Sequence, residues 1–284
     1  MTSGGNPVAY QRRLRGELRR AREAAGVTQK AVAEALDWSP SKVIRIETGA
    51  VGISTTDLRA LLAFYGTERE VVEELVEVAK ASRQQVWWDK LRGSAKPSFL
   101  KLIALESSAS LVRQFQSQLV PGLLQDDGYM RAIVELYEND LNVIASTIEI
   151  RKERQARFFA GGTRIFFVLD EAVIRRAVGG KEVMRKQLEK LVEMNKLPQV
   201  SIQIAGFDKG AHVGMYGSYV VYDFEGEQDN AVYIEASGSE TRILENSPDE
   251  TSKYLEWFYE LEALAEPAER LEEIVERVIS ESFS

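Results

Sequence analysis

TQKAVAEALDWSPSKVIRIETG, residues 28–49, is the stretch whose spacing carries both a fold and a mechanism. Thr28 is placed to cap a short helix that turns Ala31, Val32, Ala35 and Leu36 inward. Asp37 and Trp38 make a corner, and Ser39 caps a second helix. Pro40 fits that helix's first position, where the missing N–H costs nothing and φ is already set. Val43 and Ile46 point back to the core. Pro40, Ser41, Lys42, Ile44 and Arg45 then occupy the outward face and leading end. Gly49, tolerant of positive φ, stops the helix. The pattern predicts a helix-turn-helix, whose second helix meets base edges in the major groove of double-stranded DNA. An ordinary αα-hairpin shares the periodicity, but caps, corner and stop together favour the helix-turn-helix.

The order TQ, VAEAL, SPSKVIRIETG resembles the Cro/repressor or Xre-type helix-turn-helix family. The resemblance implies that Gln29 and the N–H groups opening its helix clamp a backbone phosphate. It places Ser41, Lys42 and Arg45 at base-reading positions, behind Ser39 and Pro40, and Ala33 at a close helix crossing. Asp37 stands where that family usually has Gly, a departure softened by the tolerance of Asp for left-handed backbone.

The 284-residue length allows two domains, each with a full core. A hydrophobic fraction of 44% with 28% charged residues is that of a soluble globular chain and argues against long disorder. No apolar run approaches the roughly 20 residues of a membrane span, and no signal-peptide core opens the sequence. The expectation is a cytoplasmic protein with no membrane partner. The absence of cysteine removes disulfides, thiolate metal sites and cysteine nucleophiles together.

The net charge of −8 is segregated along the chain. Residues 1–30 carry seven basic residues, Arg12, Arg13, Arg15, Arg19, Arg20, Arg22 and Lys30, against Glu17 and Glu23. Residues 255–284 carry nine glutamates against Arg270 and Arg277. A local basic surface suits phosphate attraction, and an acidic remainder limits non-specific binding. Arg19 and Arg22 are therefore expected to contact phosphates rather than merely solvate a helix face.

In chain order, residues 10–24 read as a helix buried along Leu14, Leu18 and Ala21. After the helix-turn-helix, Ser54 caps a helix over residues 55–65. Thr67 and Glu70 then form a capping box for another through Ala81, with Val71, Leu75 and Val78 inward. Residues 82–98, with Trp87, Trp88, Gly93 and Pro97, read as a linker. Helices follow over 99–116, from Pro121 through Leu136, and over 144–159. Periodicity then switches to strands at 163–169, 200–205, 216–224 and 231–235, with a helix at 180–194 and closing helices at 254–265 and 270–278.

The segments LVPGLLQDDGYMRA, RKERQ, DEAVIRRAVGG and GAHVGMYGSY resemble, in this order, the C-terminal domain of actinobacterial Scr-type antitoxin-like, or WhiJ-like, regulators. That resemblance implies a regulator paired with a small protein encoded by a neighbouring gene, and no catalytic role. Within these segments Tyr129, Arg131, Glu171, Arg175 and His212 are the candidate ligand or partner contacts. Glu171 and Arg175 could equally cap and pair within their own helix. His212, the only histidine, stands in a glycine-rich stretch that could be a mobile loop or a hairpin connection. Phosphate-loop, nucleophile-elbow and clustered metal-ligand patterns are absent from the sequence, so no enzyme, cofactor or metal is expected.

These readings predict an α+β chain: a five-helix helix-turn-helix DNA-binding domain at 1–81, a linker at 82–98, and a mixed helical domain with a small antiparallel or mixed sheet at 99–284. The expected function is sequence-specific DNA-binding transcription regulation, as a repressor or antitoxin-like switch. A homodimer on two half-sites is expected, with the apolar residues of 255–278 as its first candidate surface, unless they pack on their own sheet. The alternative is a small-molecule effector bound in the second domain among Tyr129, Phe166, Tyr216 and Tyr219.

Overall fold

The computed structural model describes residues 6–225, 230–235, 241–245 and 247–283. The chain divides into two compact units, residues 1–108 and 109–284.

The first unit is helical: α1 (Pro7–Ala24), α2 (Gln29–Ala35), α3 (Pro40–Glu47), α4 (Thr55–Phe64), α5 (Arg69–Ala81) and α6 (Pro97–Ser108). Local chemistry sets the boundaries. Thr28 Oγ1 accepts the Ala31 N–H at 3.2 Å, Ser39 Oγ that of Lys42 at 3.2 Å, and Ser54 Oγ that of Asp57 at 2.9 Å. The corner between α2 and α3 turns on Asp37 at φ 55°, and α3 stops at Gly49 at φ 75°. Leu18, Val32, Ala33, Val43, Leu58, Leu61 and Leu62 form a closed core. Three details correct the sequence reading. Ala35 is exposed while Ala33 is buried. Val71 faces solvent, and α5 is buried through Leu75, Val76, Val78 and Ala79. Its N-cap is Glu68 without a side-chain bond, so the Thr67 capping box does not form. The segment at 82–98 is also more than a linker: Trp88 and Leu91 are buried, and α6 packs on α1 inside this unit.

The second unit holds a six-stranded mixed sheet in the order β3-β2-β1-β4-β5-β6. Its strands are β1 (Leu111–Gln116), β2 (Arg164–Asp170), β3 (Val200–Ala205), β4 (Tyr219–Asp223), β5 (Ala231–Ile234) and β6 (Arg242–Leu244). β1, β2 and β3 are parallel; β4, β5 and β6 run antiparallel to their neighbours. The expected helix over 99–116 is corrected: it ends at Ser108, and 111–116 is a central strand. The helix expected from Pro121 begins only at α7 (Asp127–Val134), capped by Asp126. Next come α8 (Leu141–Ala160), α9 (Glu171–Arg175), α10 (Lys181–Asn195), α11 (Pro248–Leu264) and α12 (Leu271–Val278).

Alternation puts Phe115, Val168, Tyr219, Val221 and Val232 on the sheet face that α11 crosses, where they pack on Phe258 and Leu261. Leu271, Ile274 and Val278 of α12 are buried as well. The apolar residues expected to offer a dimer surface are thus consumed by their own unit, with Leu255 and Leu264 half-buried on the same core.

Residues 117–126 have little regular structure, and buried amides organise them. Gln187, fully buried, donates to the Leu124 carbonyl at 2.8 Å and accepts the Asp126 N–H at 2.7 Å. Gln125 donates to Val120 O at 2.8 Å, and Gln155 to the carbonyls of Gly122 and Gln125 at 2.9 and 3.0 Å. Replacing Gln187 with Leu leaves one buried donor and one buried acceptor unpaired. Chemical denaturation should show a loss of about 2–4 kcal/mol; a loss within experimental error would mean the loop does not depend on this amide.

Candidate nucleic-acid interface

On α3 the side chains of Pro40, Ser41, Ile44 and Arg45 are exposed, as are Ser39 and Arg19. Two residues expected on this face are held back. Lys42 donates to Asp57 at 3.1 Å and lies 3.6 Å from the centroid of the Trp38 ring. Its charge is therefore anchored at the α3–α4 side instead of extending toward bases, which corrects its expected role. Gln29 donates through Nε2 to Glu47 Oε2 at 2.8 Å. The other Nε2 hydrogen remains for a phosphate, since a carboxamide carries two N–H donors.

Glu47 ends α3 and takes both arms of a clamp: Arg22 Nε donates to its Oε1 at 2.7 Å, while Gln29 holds Oε2. The Glu47 side chain is 5% exposed and that of Arg22 14%. Arg22 also reaches the Val27 carbonyl at 3.1 Å. The hydrogen bond from Glu47 holds the Arg22 pKa above its ordinary value against burial, which lowers it. Burial, with the nearby Glu47 carboxylate, pushes the Tyr65 phenol up to about 12. Arg22 is therefore a buried tie between α1 and α3, not the phosphate contact expected from its place in the basic run.

The same holds for much of that run. Arg12 is buried, Arg13 pairs with Glu74, and Arg15 donates to the Thr48 carbonyl at 3.0 Å. Arg19 and Arg20 stay exposed, bridged to Glu23 and Glu17 at 3.0 and 2.9 Å. Surface pairs of this kind are weak and open readily to a phosphate.

In the second unit the parallel strands bring their carboxyl ends, Gln116, Asp170 and Ala205, to one end of the sheet. There Glu171 accepts the Phe207 N–H at 2.7 Å and the Arg175 Nε, and Arg175 donates on to Glu281 at 3.0 Å. Asp170 caps α9 through Ala172 N at 2.8 Å and faces His212 Nε2 at 3.4 Å. His212 is buried edge-on to Phe115, and its Nδ1 finds no partner among the described residues. Tyr129 is in the core, its hydroxyl accepting the Val120 N–H at 3.1 Å, while Arg131 is exposed beside Glu135.

Glu171 and Arg175 thus pair and His212 sits near them, but Tyr129 and Arg131 belong to α7. Tyr129, Phe166, Tyr216 and Tyr219 do not assemble one pocket either; only Tyr216 and Tyr219 line a cleft of about 400 Å³, with Tyr254 and Trp257. The sequence reading missed Glu47, Gln125, Gln155 and Gln187. Among the described residues there is no group of three or more side chains placed to hold a metal ion, and no helix long and apolar enough to cross a membrane.

Residues 99–277, more than half of the chain, match the family described as a domain of unknown function, DUF5753. The chain belongs to that family. Residues 13–75 match a helix-turn-helix domain, so this DUF5753 protein carries a DNA-binding regulator's head, built on α1 to α5. The family match starts at residue 99, inside α6, whereas the first compact unit extends to Ser108. No curated protein and no solved structure matches the chain.

The clamp and the exposed arginine separate by substitution. Arg22→Ala leaves Glu47 buried without its cation and should cost about 2–4 kcal/mol in thermal or chemical unfolding. Arg19→Ala should leave stability within about 0.5 kcal/mol. It should also make the salt dependence of duplex binding shallower. Equal melting behaviour of the two variants would contradict the assignment.

Proposed function

We propose that the protein is a sequence-specific regulator of transcription that binds operator DNA as a homodimer, in the manner of an antitoxin-like repressor. In this reading a small protein encoded by a neighbouring gene controls it. Its chemistry is binding; it is not an enzyme. The observation that carries the reading is the outward face of α3. Ser41, Ile44 and Arg45 are exposed there on a helix locked from behind by Glu47, with Arg45 lacking a side-chain partner among the described residues. An arginine on such a face can take a guanine edge bidentately, and Ile44 can meet a thymine methyl. The α2 amino terminus and Gln29 supply phosphate donors beside it.

One module with so few base contacts gives little genomic specificity, so two copies on half-sites spaced by roughly 34 Å are expected. Control by a partner protein draws support from the second unit, where Phe207, Met215 and Tyr216 are 58%, 72% and 83% exposed along one loop. Exposed aromatic and Met side chains of this kind suit a protein interface. The resemblance of residues 119–219 to antitoxin-like regulators points the same way.

Selection of bound sequences from a random duplex pool, with and without the neighbouring small protein, tests both parts. A palindromic site that is lost or altered on adding the partner is the expected result; no enriched site would remove the DNA-binding reading. Arg45→Ala should cost about 1–3 kcal/mol on the selected site and little on unrelated duplex. Equal loss on every sequence would make Arg45 a phosphate contact.

A further inference from the structure

The first unit contains an open cavity of about 780 Å³ behind the helix-turn-helix, bordered by α1, the loop after α3, residues 82–92 and α6. Its size lies within the roughly 300–1,000 Å³ of small-molecule sites. Its lining is strongly one-sided in charge. Arg12, Arg15, Arg83, Arg92 and Lys101 face it, against the single carboxylate Asp89, which Arg92 engages at 2.7 Å. Leu14, Leu18, Ile46, Ile53 and Trp88 supply an apolar floor. Cations over an apolar floor complement an organic anion with an apolar body.

Two of these arginines hold the ends of one loop. Arg15 donates to the carbonyl of Thr48, where α3 ends, at 3.0 Å. Arg83 donates to the carbonyl of Ile53, just before the Ser54 cap of α4, at 2.7 Å. Between them Gly49 packs so closely on Arg15 that an added Cβ would lie 2.5 Å from its Cδ. A carboxylate, sulfonate or phosphate entering the cavity competes with neutral carbonyls for the same guanidiniums, and charge-assisted hydrogen bonds are the stronger ones.

We propose that this cavity is the effector site of the protein, taking an amphipathic organic anion that draws Arg15 and Arg83 off the 49–53 loop and so alters how α3 is presented. The occupant is a small molecule, in contrast to the second-unit pocket expected from the sequence. The binding step stands alone; only its effect on α3 rests on the DNA-binding reading.

The probe is 8-anilinonaphthalene-1-sulfonate, an aromatic sulfonate whose fluorescence rises on apolar binding, titrated into the full chain without DNA. Saturable binding of one dye per chain is expected. Gly52 lines the cavity, has ordinary backbone, and an added Cβ there meets nothing within 4 Å, so Gly52→Trp fills space without forcing a clash. Gly52→Trp should weaken dye binding on the order of tenfold or more. So should the double variant Arg92→Glu/Lys101→Glu, which reverses charge near the opening and serves if the tryptophan disturbs folding. Tyr216→Ala, in the cleft of the second unit, should change nothing. Unaltered binding in the first two variants, or loss only in Tyr216→Ala, overturns the proposal. So does a double variant that keeps the dye but loses duplex, since its cations would then belong to DNA phosphates. In a second titration the dye should shift the affinity of the wild-type chain for its selected duplex. Dye binding without that shift overturns the effector role, while dye binding with no duplex affinity at all defeats the DNA-binding reading and leaves the anion site standing.

Discussion

The carboxylate of Glu47 is the constraint on which the DNA-binding unit depends. It closes α3, receives Arg22 from α1 and Gln29 from the first turn of α2, and is nearly sealed from water. A buried carboxylate is costly unless each oxygen is met, and here two different helices meet the two oxygens. That requirement fixes the distance and rotation of α3 relative to α2. It therefore fixes which side chains of α3 face outward, namely Ser41, Ile44 and Arg45. The apolar core of Val32, Val43, Ile46 and Leu58 drives association, but apolar contacts tolerate sliding that a two-armed ion pair does not.

A parallel arrangement operates in the second unit, with amides in place of charges. The segment 117–126 crosses the sheet end without regular backbone bonding, and a buried loop must satisfy its polar groups somehow. Gln125, Gln155 and Gln187 supply donors and acceptors at fixed positions on the loop and on α8 and α10. Much of what makes residues 119–132 and 151–155 recognisable as a pattern is this internal bonding. The pattern marks architecture more directly than a ligand. By contrast, the exposed Met215 and Tyr216 take no part in such a network.

The helical head was legible in the sequence because its signals are local. Thr28, Ser39 and Ser54 act within three residues of themselves, and Asp37 and Gly49 respond to backbone geometry at their own positions. Segment 111–116 was not legible: in Leu-Val-Arg-Gln-Phe-Gln, the buried positions include two glutamines, and Val112 is its only β-branched residue. Its identity as the central strand follows from pairing with β2 and β4, 53 and 112 residues away at Leu111, which no local pattern encodes. Arg22 and Lys42 were misplaced for a related reason. Sequence gives their charge and helical phase, but Glu47 and Asp57, lying 25 and 15 residues further on, decide where the charge goes.

The redistribution of cations bears on how such a protein divides affinity from specificity. A count of seven basic residues in the first 30 suggests a large electrostatic contribution to DNA binding. In the folded unit Arg12, Arg13, Arg15 and Arg22 are buried or engaged internally, and Lys42 is drawn to Asp57. Fewer released counterions mean weaker sequence-independent binding and a shallower salt dependence than the composition implies. Discrimination then falls to the short exposed face of α3 and to doubling of that face by symmetry. Such weak non-specific attachment suits a regulator whose occupancy is to be changed by a second ligand, because the free energy that ligand must oppose is small.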